Sequence, residues 1–404
     1  MPLVAAMCWL TTSAYAQATY TLPQLIELAQ EQHPRIRAAR EGVNAAGAAV
    51  ETARALPNPE FEVLRGSQRA RLPGAPEGPV STVALTQRLD LPPQRAARIG
   101  AASAGLDAEQ AQLRLSRQEL IRAVKLHYHE LLRREAESDA AQQDLDLLND
   151  IRDRVKLKVS TGESPRYDAI KAEAEALNAQ KAAQSAQLRV ELARAALKNS
   201  VGNVLPDDFT LAAEDMLEHE LPQLPTLREL EEQVLQRNAG MTRARALTTR
   251  GREQLALERA LRLPSVSVKA AVDQQPDIRS SRIGVNLTIP LWDQRRGPIG
   301  EASAQLARLR HEEDQARFDL RQQLREAYQR YQISRNSVAA LETGIVAQSQ
   351  AALRVAEAAY RFGERGILDY LDAQRAWRNA RNELIAARFE MRTALADIET
   401  LNGN

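Results

Sequence analysis

The sequence predicts a mainly α-helical chain with a small β part: duplicated long α-helical hairpins plus four β-strands per chain. Three observations carry this. A motif near residue 360 recurs in the first half at one constant offset. Two stretches of ~65 residues run with almost no helix breaker. Each half also holds two short segments in which apolar residues fall at every second position.

The duplication is read from Tyr360-Arg361-Phe362-Gly363-Glu364-Arg365-Gly366-Ile367-Leu368-Asp369 and its counterpart Val159-Ser160-Thr161-Gly162-Glu163-Ser164-Pro165-Arg166-Tyr167-Asp168. Gly162 matches Gly363, Asp168 matches Asp369 and Ala172 matches Ala373. The same offset sets Asn178-Ala179 against Asn379-Ala380 and Gly202-Asn203 against Gly403-Asn404. Each copy reads as the tip of an αα-hairpin, where a glycine able to take positive φ ends one helix and a polar turn starts the next. Ser164-Pro165 predicts an N-cap with proline at the first helical position. The expected division is a signal peptide over 1–16, a first structural repeat over 17–220 and a second over 221–404.

In chain order, Pro2 to Ala16 is an apolar run ending in Ala14-Tyr15-Ala16 before Gln17, a small-x-small pattern of the kind signal peptidase cuts. The alternative is an ordinary chain end. Cys8, the sole cysteine, lies within this run, so a mature chain starting at Gln17 would have no thiol and no disulfide. Met7 is a poor residue before a lipidated cysteine.

Thr21-Leu22-Pro23 opens a helix that His33-Pro34 interrupts, and a second helix is expected from Arg35 to Leu56, before Pro57-Asn58-Pro59. The second half repeats this: Thr226-Leu227 opens, Asn238-Ala239-Gly240 interrupts and Pro264 stops. Both halves then change period. Glu60 to Arg65 and Ser265 to Val272 are the first strands. In the next, Val83, Leu85, Leu89 and Leu91 alternate with Ala84, Thr86, Arg88 and Asp90, and Ile283, Val285, Leu287, Ile289 and Leu291 alternate with Gly284, Asn286, Thr288 and Pro290. Loops are expected over Gly66 to Pro79 and Asp273 to Ser280.

Four such strands cannot span a bilayer alone, because an open sheet leaves edge amides unpaired in lipid. Three copies would give twelve strands, enough to close a barrel with its apolar side toward outer-membrane lipid and its polar side toward a water-filled lumen. The alternative is a soluble β-hairpin packed on helices. After Ala16 no apolar run reaches the length of a transmembrane helix.

Gln94 to Lys158 and Arg296 to Arg361 are the long helical stretches, each on the order of 100 Å if continuous. The return helices, Pro165 to Ser200 and Gly366 to Leu401, place alanines at spacings of three and four: Ala169, Ala172, Ala176, Ala179, Ala183 and Ala186, then Ala373, Ala376, Ala380, Ala387 and Ala394. Small residues at that spacing let neighbouring helices approach closely, as in antiparallel coiled-coil pairs.

Composition agrees. Only 4% of residues are aromatic, which suits long thin helix pairs better than a thick core. The formal net charge is +1, so nucleic acid is not an expected partner. No phosphate loop, nucleophile elbow or zinc-protease motif is present, and the expectation is a protein that is not an enzyme and needs no cofactor. Of the five histidines, His127 and His129 point about 200° apart on a helix and cannot share a metal, while His33, His219 and His311 are isolated. Trp292, at a strand end, suits a membrane interface or core packing.

The duplicated halves, the hairpin in each, the run Leu56-Pro57-Asn58-Pro59-Glu60, the run Ile289-Pro290-Leu291-Trp292-Asp293, and Gly363 followed by Asp369-Tyr370-Leu371-Asp372-Ala373 together resemble the TolC-like outer-membrane efflux factors of Gram-negative bacteria. Leu89-Asp90-Leu91-Pro92-Pro93-Gln94-Arg95 is similar to the barrel-to-helix junction of the CzcC-type, heavy-metal cation branch, with Pro93-Gln94-Arg95 departing from that branch's Gly-Lys-Arg-like step. The resemblance implies a homotrimer with a twelve-stranded barrel in the outer membrane and a helical tunnel through the periplasm. It also implies a passive exit duct that docks to a periplasmic adaptor (membrane fusion) protein and an inner-membrane resistance-nodulation-division pump, exporting metal cations or small toxic compounds. A type I secretion duct and a soluble periplasmic coiled-coil scaffold are the alternatives.

By motif position the resemblance makes Tyr360 and Arg365 the periplasmic gate ties, with Asp168 the acidic partner of the tyrosine. Tyr167 stands where the arginine's partner is usually a small hydroxyl residue. Asp369 and Asp372 match an acidic constriction, which in triplicate would favour cations. The alternative is that they serve the helix dipole, since both lie in the first turns of a helix. Gly162, Glu163, Ser164, Phe362, Gly363 and Glu364 form the hairpin tips, either adaptor contacts or solvated turns.

Overall fold

A computed structural model describes residues 18–69, 71–212 and 224–403. The expected signal segment 1–16, Cys8 and His219 lie outside the described residues.

Each half begins with two helices, α1 (Leu22–Gln32) and α2 (Pro34–Arg54), and their counterparts α5 (Leu227–Arg237) and α6 (Ala239–Ala260). The caps explain the boundaries. The side-chain oxygen of Gln24 accepts the Thr21 N–H at 2.9 Å, tying the start of α1. Asn238 accepts the Met241 N–H at 3.0 Å and donates its amide to the Leu401 carbonyl at 3.1 Å, so one side chain starts α6 and anchors the end of the chain. The helix expected to reach Leu56 stops at Arg54, because the prolines at 57 and 59 cannot extend it.

The described residues hold six strands in two sheets, two strands more than expected, and the larger sheet is antiparallel in the order β2 (Glu60–Gln68), β3 (Gly78–Leu89), β5 (Ser265–Gln274), β6 (Arg279–Thr288). The hairpin of each half is present, and the two are joined along β3 and β5. The strands run further toward the hairpin turns than expected. Residues 66–68, 78–79, 273–274 and 279–280 are strand rather than loop, because ladder pairing satisfies the backbone whatever the side chains. Pro79 is tolerated because pairing of β3 to β5 begins only at Ser81. At the other end Leu91, Ile289 and Leu291 fall outside the strands: Pro92 begins a helix, and Pro290 has no N–H to donate.

Register sorts the side chains. Paired residues share a face, so Phe61, Leu85, Ala270 and Ile283 form one cross-strand row, and Val63, Val83 and Val272 another. Val268 with Val285, and Leu89 with Val266 and Leu287, complete the same face, with Gln87 opposite Val268 as a polar exception. From Val83 to Leu89 this apolar band is about 20 Å tall. Its large side chains on β2, β3 and β6 are all exposed, Ile283 at 82%. The opposite face carries Glu62 paired with Lys269 at 2.9 Å and Thr82 donating to Asp273 at 2.7 Å, with Leu64 and Val80 as apolar exceptions. Trp292, just beyond β6, is 94% exposed, so it packs on nothing within the described chain.

From the sheet the chain enters α3 (Pro92–Ser160) and returns through α4 (Arg166–Ser200). A short strand β1 (Ala18–Tyr20) pairs in parallel with β4 (Phe209–Leu211), a contact no sequence pattern announced, because three residues are too few to show a period. In the second half the long stretch divides into α7 (Arg296–Ala340), a π-helical turn over Leu341–Ile345 and α8 (Val346–Arg361), with α9 (Ile367–Asn402) returning. The π-turn was not expected either; Glu342 within it accepts two N–H groups of Arg388, at 2.7 and 2.9 Å.

Ala172, Ala176, Ala179, Ala183 and Ala186 of α4 are buried as their spacing predicted. On α9 only Ala380 and Ala394 of the expected set are fully buried, and Ala376 is exposed. Among the described residues no helix is long and apolar enough to cross a membrane. The chain falls into two compact units, each drawing on both repeats. Of the described residues, one gathers those within Gln118–Thr226 and Arg325–Thr400 with those up to Pro34; the other gathers those within Arg35–Arg117, Leu227–Leu324 and from Leu401 on.

Candidate functional site

The two hairpin turns belong to the first unit and are built alike. Gly162 has φ 83° and Gly363 φ 77°, the left-handed region that glycine alone enters freely. After α3 the Glu163 N–H donates to the Lys158 carbonyl at 2.8 Å and the Gly162 N–H to Val159 at 3.2 Å. After α8 the Glu364 N–H donates to Ala359 at 2.9 Å and the Gly363 N–H to Tyr360 at 3.2 Å. This is the Schellman pattern, twice. No atom would lie within 4 Å of a Cβ at either glycine, so Gly363→Val is expected to cost about 1–2 kcal/mol through backbone strain alone. A lowered thermal midpoint by circular dichroism, with a smaller drop for Gly363→Asn, checks this.

Ser164 does not cap α4. The helix starts one residue later than expected, Pro165 takes the cap position, and no side chain caps it. A proline there fixes extended backbone ahead of the first turn, while the Asp168 N–H bonds the Pro165 carbonyl at 3.0 Å. Gly162, Glu163, Phe362, Gly363 and Glu364 are exposed, and Ser164 is half-buried.

Beneath the turns lies an apolar cluster of Leu148, Ile151, Val155, Ala172, Ala179, Tyr360, Ile367, Tyr370 and Leu371. Tyr360 is buried here, its ring stacked on Tyr370 with centroids 5.9 Å apart and the Lys158 ammonium 4.5 Å above its centre. Its hydroxyl has no hydrogen-bond partner in the described chain. Burial raises the Tyr360 pKa, and the Asp168 carboxylate raises it further, so Asp168 acts on this hydroxyl through its charge and not through a bond. The Tyr370 hydroxyl is pushed up to about 12, chiefly by burial.

Arg365, in the turn two residues before α9, lies 3.7 Å from Asp369 in the first turn of that helix, with both side chains exposed. Tyr167 is exposed, with the Lys171 ammonium 5.9 Å from its ring. Asp372 accepts a hydrogen bond from Arg375 at 2.9 Å, and the same guanidinium reaches Glu175 on α4. Sequence reading missed Arg375. Its spacing of three from Asp372 was visible, but nothing in the sequence placed Glu175 opposite.

On the buried side of α9 a polar cluster joins α9 to α3. Arg381 donates to the Asp144 carboxylate at 2.8 Å and to the Ala140 carbonyl at 2.9 Å, and lies 4.5 Å over the Trp377 ring. Gln374, fully buried, donates to the other Asp144 oxygen at 3.3 Å. Burial raises the Asp144 pKa, against the opposing pull of Arg381, and lowers that of Arg381.

Among the described residues no group of three or more His, Cys, Asp or Glu side chains is arranged to hold a metal. His129 is buried on α3, and burial lowers the pKa of His127.

The family model described as outer membrane efflux protein matches residues 25–203 and 230–404. The cobalt-zinc-cadmium resistance protein CzcC of Cupriavidus metallidurans is 25% identical over 390 residues, covering 96% of this chain and 91% of that protein. The outer membrane efflux protein BepC of Brucella suis biovar 1 is 26% identical over 396 residues, covering 95% and 84%. The solved outer membrane protein VceC of Vibrio cholerae shares the fold with a TM-score of 0.79 at 18% identity, covering 95% of this chain and 96% of that one. With both repeats matched almost end to end, the chain belongs to the outer membrane efflux protein family.

Proposed function

We propose that three copies of this outer membrane efflux protein close a twelve-stranded barrel and form a passive export duct for divalent metal cations. The observation that carries the reading is the sheet: one face is an exposed apolar band, the other is polar, and β2 and β6 end the sheet with unpaired edges. In lipid an unpaired edge is untenable, and joining β6 of one copy to β2 of the next removes every edge. The hairpin tips then face a periplasmic adaptor protein, with energy supplied by an inner-membrane resistance-nodulation-division pump. The cargo is inferred from CzcC, whose name assigns it to cobalt, zinc and cadmium resistance.

Tyr360 and Asp168, with Arg365 and Tyr167, mark the gate in this reading, and Asp369 and Asp372 its acidic constriction. Two measurements test the proposal. The protein should run as a heat-resistant trimer from outer-membrane fractions, and monomer released by osmotic shock would instead identify a soluble scaffold. A deletion strain should be sensitised to zinc, cobalt and cadmium; sensitisation to antibiotics alone would reassign the cargo.

A further inference from the structure

We propose that Arg65 and Arg279 bind the phosphate groups of glycolipid in the outer leaflet of the membrane, and so fasten the outer rim of the barrel to the lipid around it. The inference rests on the barrel reading above. It starts from the way the sheet sorts its charges. Of the strand residues that share a face with Phe61, Val83, Val272 and Ile283, only Arg65 and Arg279 are charged. All the acidic residues of the four strands, Glu60, Glu62 and Asp273, lie on the opposite face, where Lys269 pairs with Glu62 and Arg282 with Asp273.

The two arginines also share a row. Pairing links Arg65 to Ser81, Ser81 to Gln274 and Gln274 to Arg279, so three strand spacings, about 14 Å, separate them. This row lies at the hairpin-turn end of the sheet, away from the strand ends that lead to α2, α3, α6 and α7. On the same face the apolar band follows without a charge, and Trp292 stands exposed beyond its far end, where an aromatic suits the other membrane boundary. Both arginines are exposed, and among the described residues neither has an ion-pair partner. A rim that served only solubility would carry both signs, as the polar face does. A rim that excludes acid on its lipid side alone matches an anionic neighbour outside the barrel. Lipid phosphates stand at the level where an apolar band ends, and the guanidinium fork fits two phosphate oxygens. Three copies would set six such arginines around the circumference.

The test uses the trimer purified from outer membranes, stripped of lipid in detergent and titrated with phosphorylated lipid A, with the same lipid lacking phosphates, and with inorganic phosphate. Thermal dissociation of the trimer reports binding. Phosphorylated lipid A should raise the midpoint of the wild type. Arg65→Gln with Arg279→Gln should bind it about 30-fold more weakly, since each cation at an anionic surface contributes roughly fivefold. Arg65→Lys with Arg279→Lys, which keeps the charge and loses the fork, should fall between the two. Arg88→Gln, on the polar face, should bind as the wild type does. Equal affinity of the double glutamine variant and the wild type overturns the proposal. Equal stabilisation of the wild type by the lipid lacking phosphates also overturns it, whether or not any variant assembles. Inorganic phosphate that stabilises as well as the lipid would assign the row to a free anion and remove the lipid from it. A wild type that forms no trimer in the outer membrane refutes the barrel reading beneath, an outcome seen before any lipid is added.

Discussion

Arg381→Ala is expected to destabilise the protein by about 3–5 kcal/mol, the cost of leaving a buried charge without its partner. The Asp144 side chain is 5% exposed and that of Arg381 15%, and the lost guanidinium also releases the Ala140 carbonyl and the Trp377 ring. The pair need not be a source of net stability for this to hold. Burial raises the Asp144 pKa despite the arginine beside it. A carboxyl raised in the folded state contributes stability that is full below its unfolded value of about 3.9 and is lost as pH rises through the folded value. The Arg381→Ala penalty should therefore shrink as the pH falls and Asp144 takes up its proton. An apolar replacement of the whole cluster, Asp144→Leu with Gln374→Leu and Arg381→Met, should recover wild-type stability or exceed it. Thermal unfolding in detergent followed by circular dichroism at several pH values measures all three. A penalty for Arg381→Ala that does not vary with pH would show that Asp144 is not the group left stranded.

Ile283→Arg should prevent assembly into the membrane. Ile283 lies in the row of Phe61, Leu85 and Ala270 on the exposed apolar face, and a lipid-facing arginine costs about 2–4 kcal/mol near the bilayer midplane. Three copies of the chain meet that cost together, so the heat-resistant trimer should vanish from outer-membrane fractions. Asn286→Arg is the matched control: in the same strand, three residues on, its side chain faces the polar side with Ser267 and Arg88. It should assemble as wild type does. Equal loss for both would mean that the faces of the sheet are not divided between lipid and water.

The repeat was legible because its markers are local. Gly162 and Gly363 are required by positive φ, a demand that a single residue meets or fails, and both turns prove to have the same hydrogen bonds. Strand alternation was legible for the same reason. The period of two in Ile283, Val285 and Leu287 assigns a face without knowledge of the partner strand. Strand ends were misjudged because Gly, Pro and Ser in the turns suggested loop, while ladder pairing carried the strands past them.

The candidate mouth was only half legible. Motif position marked Tyr360, Arg365, Asp369 and Asp372, yet the phenol of Tyr360 turned out to stack on Tyr370 under Lys158, and both aspartates to sit beside arginines. Helical spacing offers Arg365 to Asp369 and Arg375 to Asp372, but it also offers many other pairs along helices this rich in charge.

The sequence by itself determined the duplicated plan, the helical hairpins with their turns, and the two-faced strands, since each follows from short-range periodicity and backbone preference. Only the tertiary structure decided which carboxylate meets which arginine: Glu175 with Arg375, and Asp144 with Arg381, hundreds of residues apart on different helices. Those pairings depend on the relative register of packed helices, which is set by the sum of many small apolar contacts and leaves no mark in any one segment.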